Sequence, residues 1–277
     1  MIVDTHVHPI SADREHYPVQ PDPPAWPTVS GETLAAEMQA AGVGQAMLVQ
    51  SFFTYAFDNT YVLDCAAEWP ERFQAVVVID QLAVNAADVL EALVRKQGVR
   101  GVRFMPKGMP EGVLWDERTF PVWERAGELG VVITIAAEIE HVPNMPAVVE
   151  RFPHVAVCFE HMWGVEVDGP PFAALEPVVA LARFPNVNLK LAPNNSFAAR
   201  DAGIPPRALF EHLIDCFGIE RVMWGSNYPA HPAKFGAYGD RLAIMQEDLA
   251  YLGDAERAAF FGGNAARLWP ASTAAAQ

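Results

Sequence analysis

The sequence predicts an α/β protein, a single-domain (β/α)8 barrel. Eight short runs rich in Val, Ile and Leu recur along the 277 residues, and most are continuously apolar, which is typical of parallel strands covered on both faces. Helical patterns lie between these runs, and several of them stop at a glycine. The chain is long for one average domain but ordinary for an α/β barrel. An open, doubly wound sheet is the alternative, but no G-x-G-x-x-G follows the first run.

The predicted elements alternate in chain order. The strand runs are residues 2–5, 46–50, 73–79, 99–104, 131–135, 155–159, 187–191 and 221–224. The helical patterns with a glycine stop are residues 33–41, 86–97, 119–129 and 208–217. Pro153 and Pro185 mark the ends of two further helices, because proline does not continue a helix. Eight strand–helix units in one chain indicate a closed barrel of the TIM type.

The barrel domain is expected to span residues 1–270, and residues 271–277 are expected to form a frayed tail. One connection differs from the others, since residues 9–31 contain six prolines. Such a segment neither pairs as a strand nor continues a helix. We therefore expect an irregular loop that covers one mouth of the barrel.

The composition limits the partners of the chain. Hydrophobic residues make up 51% and charged residues 19%, which excludes a disordered protein. The net charge of −15 disfavours nucleic acid and anionic membranes, and no apolar run approaches the ~20 residues of a membrane span. No export signal is visible, and three widely separated cysteines fit a reducing compartment. These features predict a cytoplasmic protein that acts on a small molecule, and they leave its oligomeric state open.

Polar side chains are frequent where the predicted strands end. Barrel enzymes carry their reacting groups at the carboxyl ends of the strands. The residues at or just beyond these ends are His6, His8, Gln50, Arg103, Lys107, Glu138, Glu160, His161, Lys190, Asn227 and His231. This density of polar groups predicts an active site at that end of the barrel.

The pair His6-x-His8 is the sharpest of these signals. Residues i and i+2 of a strand point the same way, so both imidazoles are expected to face the lumen and to converge on one ion or one anion. An H-x-H pair occurs by chance in many chains. Its place at the end of the first strand, with His161 at the end of the sixth, favours a site.

Four segments resemble the amidohydrolase superfamily, and they occur in the same order as in that family. They are I-V-D-T-H-V-H-P at residues 2–9, F-E-H-M at 159–162, M-W-G-S-N-Y-P at 223–229 and G-N-A-A-R-L at 263–268. The segment G-V-R-F at 101–104 resembles the amidohydrolase-related lactonases, such as 2-pyrone-4,6-dicarboxylate hydrolase and the sugar-acid lactonases.

The resemblance implies a hydrolase that opens a small cyclic ester, a carboxylate-bearing lactone, by water attack in the barrel mouth. In the superfamily, the H-x-H pair, later strands and an Asp on strand 8 hold one or two divalent metals, whereas the lactonase pocket also works without a metal. By this resemblance His6, His8 and His161 polarise the carbonyl, or hold one zinc or manganese ion if a metal is bound. Asn227 stands where Asp is usual and orients the water.

The identity of the general base is left open by Asn227, because a carboxamide has no basic lone pair for a proton. Glu138, Glu160, His161 and His231 are the candidates. Glu160 directly precedes His161, so we expect its side chain to point away from the lumen. Glu138 and His231 are also candidates for substrate binding.

Arg103, Lys107 and Lys190 place cations at strand ends in an acidic protein. A cation in a barrel mouth is costly unless it meets an anion. Each of the three either pairs with a neighbouring carboxylate or binds a substrate carboxylate, and Arg103 suits the second role through its planar fork.

Two further functions remain open at this point. One is a metal-dependent decarboxylase of the same superfamily, and the other is a catalytically weakened barrel that binds a small acid.

Overall fold

The predicted (β/α)8 barrel is confirmed by the computed structural model, which describes residues 1–106, 108–136, 138–162 and 166–270. Eight parallel strands pair in sequence order around a single domain. They are β1 (Ile2–Val7), β2 (Val43–Val49), β3 (Phe73–Val78), β4 (Gly101–Phe104), β5 (Val132–Ile135), β6 (Val157–Glu160), β7 (Val187–Leu191) and β8 (Val222–Trp224). The barrel closes between its last and first strands, where the Asn227 amide donates to the His6 carbonyl at 2.8 Å and the His8 amide donates to the Tyr228 carbonyl at 2.7 Å.

Helices connect the strands on the outside of the barrel. They are α1 (Gly31–Ala40), α2 (Phe52–Tyr55), α3 (Thr60–Glu68), α4 (Ala86–Gln97), α5 (Phe120–Leu129), α6 (Met145–Arg151), α7 (Glu176–Val179), α8 (Pro193–Asp201), α9 (Pro206–Phe217), α10 (Pro232–Phe235), α11 (Tyr238–Asp248), α12 (Asp254–Ala258) and α13 (Asn264–Leu268). Short 3-10 turns span Val113–Trp115, Glu117–Thr119, Ile139–Asn144, Ala173–Leu175, Ala180–Arg183 and Ile219–Arg221, and a π-helical turn spans Ala259–Gly263. In the described part of the chain, no helix combines the length and the apolar character that crossing a membrane requires.

The element boundaries differ from the predicted ones by a few residues, for local reasons. Helix α1 begins two residues earlier than its pattern because Ser30 caps it, its hydroxyl accepting from the Thr33 amide at 3.0 Å. Helices α4 and α5 end as predicted, at Gly98 and Gly130, both of which adopt φ 64°. Strand β1 is longer than its pattern and carries His6, so the predicted site begins within the sheet.

The proline-rich segment forms a loop over the carboxyl ends of the strands. Its two ends are held together by Ile10 and Val29, whose backbones exchange hydrogen bonds of 2.9 and 2.8 Å. Within the loop the Gln20 amide donates to the Thr54 carbonyl at 2.8 Å, which ties the loop to α2. These hydrogen bonds hold the loop in one position over the barrel mouth. There the Trp26 ring stacks on His8, with centroids 5.6 Å apart.

The barrel interior is divided into an apolar half and a polar half. The apolar half, at the amino ends of the strands, contains Val3, Met47, Val49, Val76, Val132, Cys158, Met223, Ala265 and Trp269. A larger apolar layer packs between the sheet and the surrounding helices. The interior is filled at one end, so a pocket is left at the carboxyl ends of the strands, where the polar side chains stand.

Candidate active site

The end of β1 is shaped by the buried carboxylate of Asp4. Its Oδ1 accepts from the amides of His6 and Ser226, both at 2.9 Å, and its Oδ2 accepts from the Tyr238 hydroxyl at 3.1 Å. The β1–β2 register is irregular between Asp4 and Val7. These bonds join β1, the end of β8 and α11, and they fix the strand end that presents both histidines.

His6 and His8 do converge in the lumen, as predicted. Their Nε2 atoms lie 3.1 Å apart, and His8 Nδ1 lies 2.6 Å from the Val49 carbonyl oxygen. A carbonyl only accepts, so His8 Nδ1 carries a proton and donates it. With both rings neutral, His8 Nε2 then accepts from His6 Nε2. His161 joins them through a perpendicular ring contact with His6, with centroids 4.3 Å apart.

The expectation that Glu160 points away from the lumen is wrong. Its Oε2 accepts from Arg103 Nε at 2.8 Å and Nη2 at 2.7 Å, and its Oε1 lies 3.4 Å from His6 Nδ1 and 3.7 Å from Lys190 Nζ. The strand alternation ends at this point because His161 adopts φ 54°. A left-handed residue breaks the two-residue period, so Glu160 and His161 both face the interior.

Burial and the neighbouring cations set the protonation of the site. Burial opposes the ionisation of Glu160, but Arg103, with help from Lys190, outweighs it and holds the pKa of this carboxyl well below its usual range. Burial lowers the pKa of His8 to about 3, with Arg103 adding to the effect. Burial also lowers the pKa of His161 to about 3, and it places the pKa of His6 well below its usual range. At neutral pH the three imidazoles are therefore uncharged.

A cleft opens above these residues, and its empty volume, which includes solvent at the open mouth, is about 860 Å³. The predicted site residues that line it are His8, Arg103, His161, Asn227 and His231. Other lining residues were not predicted from the sequence, chiefly Trp26, Ser51, Asn194 and Asn195. None of the described lining residues is an Asp or a Glu, so the polar surface of the cleft consists of imidazoles, amides, a hydroxyl and one guanidinium.

The remaining predicted residues lie elsewhere. Lys190 is fully buried beneath the cleft, with its ammonium 5.4 Å from the centre of the Trp269 ring. Glu138 does not line the cleft and instead lies close to Glu140 and His141. Lys107 falls outside the described residues. The structure thus brings His6, His8, Arg103, His161, Lys190, Asn227 and His231 together around Glu160 and the cleft.

Amides from the loop after β8 and from the first turn of α8 meet at the cleft. Asn227 adopts φ 51°, and its Nδ2 donates to Asn194 Oδ1 at 3.1 Å. Asn195 Nδ2 donates to the His161 carbonyl at 2.7 Å, which supports the left-handed turn at that histidine. Asn194 and Asn195 occupy the first turn of α8, directly after Pro193. A run of asparagines after a proline reads as a turn in the sequence, so it gave no signal of a site.

The donor set at the cleft does not fit a tightly held divalent metal. Among the residues that the structure describes, the ligand atoms of His6, His8 and His161 do not all lie within 4.8 Å of one another. The one carboxylate beside them, Glu160, is already bound by Arg103. Neutral imidazoles and the neutral amide of Asn227 would leave the charge of the ion uncompensated, next to two fixed cations. Within the described ranges the spacing is met by the partly exposed group Glu138, Glu140 and His141.

Comparison with known proteins identifies the class of this barrel. A sequence profile of the amidohydrolase family matches residues 3–271, and the chain belongs to that family. It is an enzyme of this superfamily. The resemblance predicted from the sequence motifs is thereby confirmed.

The individual proteins that resemble this chain share less than a third of its residues. The D-galactarolactone isomerase of Agrobacterium fabrum (strain C58 / ATCC 33970) is 27% identical over 224 residues, which are 78% of this chain and 73% of that protein. A probable 2-pyrone-4,6-dicarboxylic acid hydrolase from Acinetobacter baumannii, solved with citric acid bound, superposes with a TM-score of 0.78 at 16% identity over 97% of this chain and 98% of that one. A zinc-bound amidohydrolase from Burkholderia multivorans gives 0.75 at 19% identity, over 98% and 100%. At these identities the structural likenesses establish the fold.

Proposed function

We propose that this enzyme hydrolyses a small lactone that carries a carboxylate. One observation carries the proposal: two buried cations, Arg103 and Lys190, meet a single carboxylate, Glu160, at the inner end of the cleft. With the imidazoles uncharged, one positive charge remains there in a chain of net charge −15. A buried excess cation is stabilised by an anion, and the substrate supplies it.

Arg103 anchors the substrate carboxylate. Its Nε and Nη2 hold Glu160, and the guanidinium has five N–H donors, so others stay available to a ligand. Arg103 is 5% exposed and lines the cleft, which aims those donors at the substrate. Glu160 in turn fixes the plane of the fork, so the anchor is rigid before the ligand arrives.

His161 polarises the lactone carbonyl. It lines the cleft, and neither of its ring nitrogens has a hydrogen-bond partner among the described residues. Because its pKa lies at about 3, the ring is neutral and offers an N–H to the oxygen on which negative charge develops. His6 and His8 bond to each other, so they support the His161 ring and leave the carbonyl to it.

Asn227 and His231 handle the attacking water. The Asn227 amide orients the water, and His231, four residues further along the same loop, takes its proton. The water oxygen bonds to the carbonyl carbon, the bond from that carbon to the ring oxygen breaks, and the proton passes from His231 to the departing ring oxygen. The product is an open-chain hydroxy acid, which releases one proton to solution. No step requires a resident metal, in keeping with the poor fit of the donor set.

A pH-indicator screen of lactones with and without a carboxylate tests this function. We expect acid release from carboxylated lactones and at least about 10-fold lower kcat/KM for uncharged analogues of the same ring. His161→Phe keeps the ring volume but removes the N–H, and it should lower kcat by about 100-fold. Absence of acid release from every lactone, together with CO2 release from hydroxylated aromatic acids, would instead establish a decarboxylase.

A further inference from the structure

The loop between β8 and α11, which includes the short helix α10, carries both Asn227 and His231, and one side chain of α11 binds its backbone at several points. This side chain is Arg241 of α11, which is fully buried. Its Nη1 donates to the Asn227 and Ser226 carbonyls at 2.8 and 3.3 Å, its Nη2 to the Ala230 and Gly236 carbonyls at 2.7 and 3.3 Å, and its Nε to the Gly236 carbonyl at 3.4 Å. One guanidinium thus joins four backbone carbonyls of one loop.

Burying the charged guanidinium of Arg241 among backbone carbonyls costs solvation free energy. Burial lowers the pKa of Arg241 to about 10, while Tyr228, Asp4 and Glu37 oppose the shift, so the group stays charged at neutral pH. The Tyr228 and Phe235 rings lie 5.0 and 5.6 Å from the guanidinium carbon. The hydrogen bonds found among the described residues lead to carbonyl oxygens, which satisfy the fork without neutralising it.

The backbone that Arg241 holds adopts an unusual conformation. Asn227 has φ 51° and His231 has φ 50°, in the left-handed region that residues other than glycine rarely adopt. Such a conformation persists where its surroundings fix it. The two shortest bonds of Arg241 reach the carbonyl of Asn227 itself and the carbonyl of Ala230, which forms the peptide bond to His231. The fork therefore acts on the two peptide units that aim these side chains into the cleft.

The same helix also contacts β1, which lies on the other side of the junction where β8 meets β1. Tyr238, one turn before Arg241 on α11, donates its hydroxyl to Asp4, which fixes the end of β1 below His6. The first turn of α11 thus contacts both the histidine strand and the amide loop. Tyr238 and Arg241 together set the relative position of His6 and Asn227.

We propose that Arg241 is a positioning residue, which sets the Asn227 amide and the His231 ring for the attack of water. This inference rests on the proposed roles of Asn227 and His231. Arg241 lies outside the cleft lining, so it acts through these two residues and not on the substrate.

Arg241→Lys keeps the charge but loses the fork. We expect kcat to fall at least about 10-fold while KM stays within about 2-fold, because the Arg103 anchor is untouched. In a background that carries both Asn227→Ala and His231→Ala, the same change should cost less than about 2-fold, since neither of the side chains that Arg241 positions is left. An equal loss in both backgrounds overturns the proposal. The matched control is Arg200→Lys, which should leave kcat unchanged. Arg200 pairs at 2.6 Å with Asp248, the last residue of α11.

Hydrogen–deuterium exchange tests the same inference without any substrate. The Ala230 amide donates to the Asn227 carbonyl and the Lys234 amide to the His231 carbonyl, both at 3.0 Å. Arg241→Lys should speed exchange in peptides covering residues 226–236 and leave β4 and β5 unchanged. A faster loop in a protein that opens no lactone would refute the proposed function and keep the positioning role. Unchanged exchange in the loop, or a uniform rise across the barrel, would refute the positioning role.

A second variant leaves Arg241 in place, in case its replacement prevents folding. Gly236 has φ 73°, and a Cβ there would meet the Asp240 carboxylate, so Gly236→Ala displaces the carbonyl that receives two of the five bonds. We expect a smaller change in the same direction: faster loop exchange and a several-fold lower kcat at unchanged KM. Faster exchange with an unchanged kcat would show that the loop position does not matter for the reaction.

Discussion

The two halves of the barrel interior are built from the same eight strands but obey different chemistry. The half at the amino ends is packed with apolar side chains such as Val76, Val132 and Met223. The half at the carboxyl ends holds Glu160 and two cations in direct contact. Lys190 marks the border, because its ammonium lies between Glu160 above and the Trp269 ring below. Stability therefore depends on tightly packed apolar side chains at the amino ends of the strands, and on the balance of buried charges at the carboxyl ends.

The largest expected effect comes from removing the one carboxylate of the polar half. Glu160→Gln leaves Arg103 and Lys190 as buried, uncompensated cations and should lower the free energy of unfolding by about 3–5 kcal/mol. Met223→Ala, in the apolar half, leaves a cavity and should cost about 2–5 kcal/mol. Urea unfolding measures both. Activity per folded molecule separates them: it should collapse in Glu160→Gln and survive in Met223→Ala. A Glu160→Gln variant as stable as the parent would show that the two cations do not need this carboxylate.

The polar half should also make stability depend on pH. The folded pKa values of His8 and His161 are both about 3, below the usual value near 6.5, so the unfolded chain binds protons first as the pH falls. Their contribution is fully present above about pH 6.5 and is lost on the way to pH 3. Between pH 7 and 5 we expect a loss of about 2 kcal/mol for each histidine.

The variant His8→Gln should flatten this pH dependence, as measured by urea unfolding at both pH values. His154 is exposed, so His154→Gln provides the control and should leave the slope unchanged. Equal slopes in all three proteins would mean that the pKa of His8 is not lowered in the folded state.

Charge balance should also govern recognition. Arg103→Met keeps the apolar stem but removes the fork, so kcat/KM for a carboxylated lactone should fall at least about 10-fold, which corresponds to about 1.4 kcal/mol. An uncharged lactone should lose far less. Steady-state kinetics on the matched pair decides, with the folded fraction of each sample measured first because Arg103 also holds Glu160. Equal losses on both substrates would remove Arg103 from the anchoring role.

The last prediction concerns metal affinity and the addition of one negative charge at the cleft. Asn227→Asp adds a charged oxygen ligand at nearly constant shape, and it should tighten binding of zinc or manganese by at least about 10-fold. Titration calorimetry of the parent and the variant measures this. If the parent already binds one ion tightly and the variant does no better, Asn227 lies outside the ion's ligand shell, and another residue must supply the charge.

The sequence predicted the fold well because each strand carries its own signal. Continuous apolar runs need two covered faces, and Gly98 and Gly130 end their helices without help from distant residues. His6 and His8 were also predictable, since the period of a strand places both on one face.

Other parts of the site depend on contacts that no local pattern records. Glu160 faces inward because of a left-handed turn at His161, and that turn is supported by Asn195 from the first turn of α8. Trp26 reaches His8 from a proline-rich segment whose path is set by its two pinned ends. These orientations arise from tertiary packing, which overrides the simple alternation of a strand.

The seam that closes the barrel has a consequence for biosynthesis. Asp4 is made well before Ser226, whose amide donates to it from 222 residues further along the chain. A chain that has not reached residue 226 therefore holds its first strand without this donor, and His6 and His8 have no Asn227 opposite them. Contacts of such long range form late, because ordering the intervening chain comes first. The site is therefore complete only once the segment after β8 has joined β1, and a barrel truncated before residue 226 lacks both Asn227 and His231.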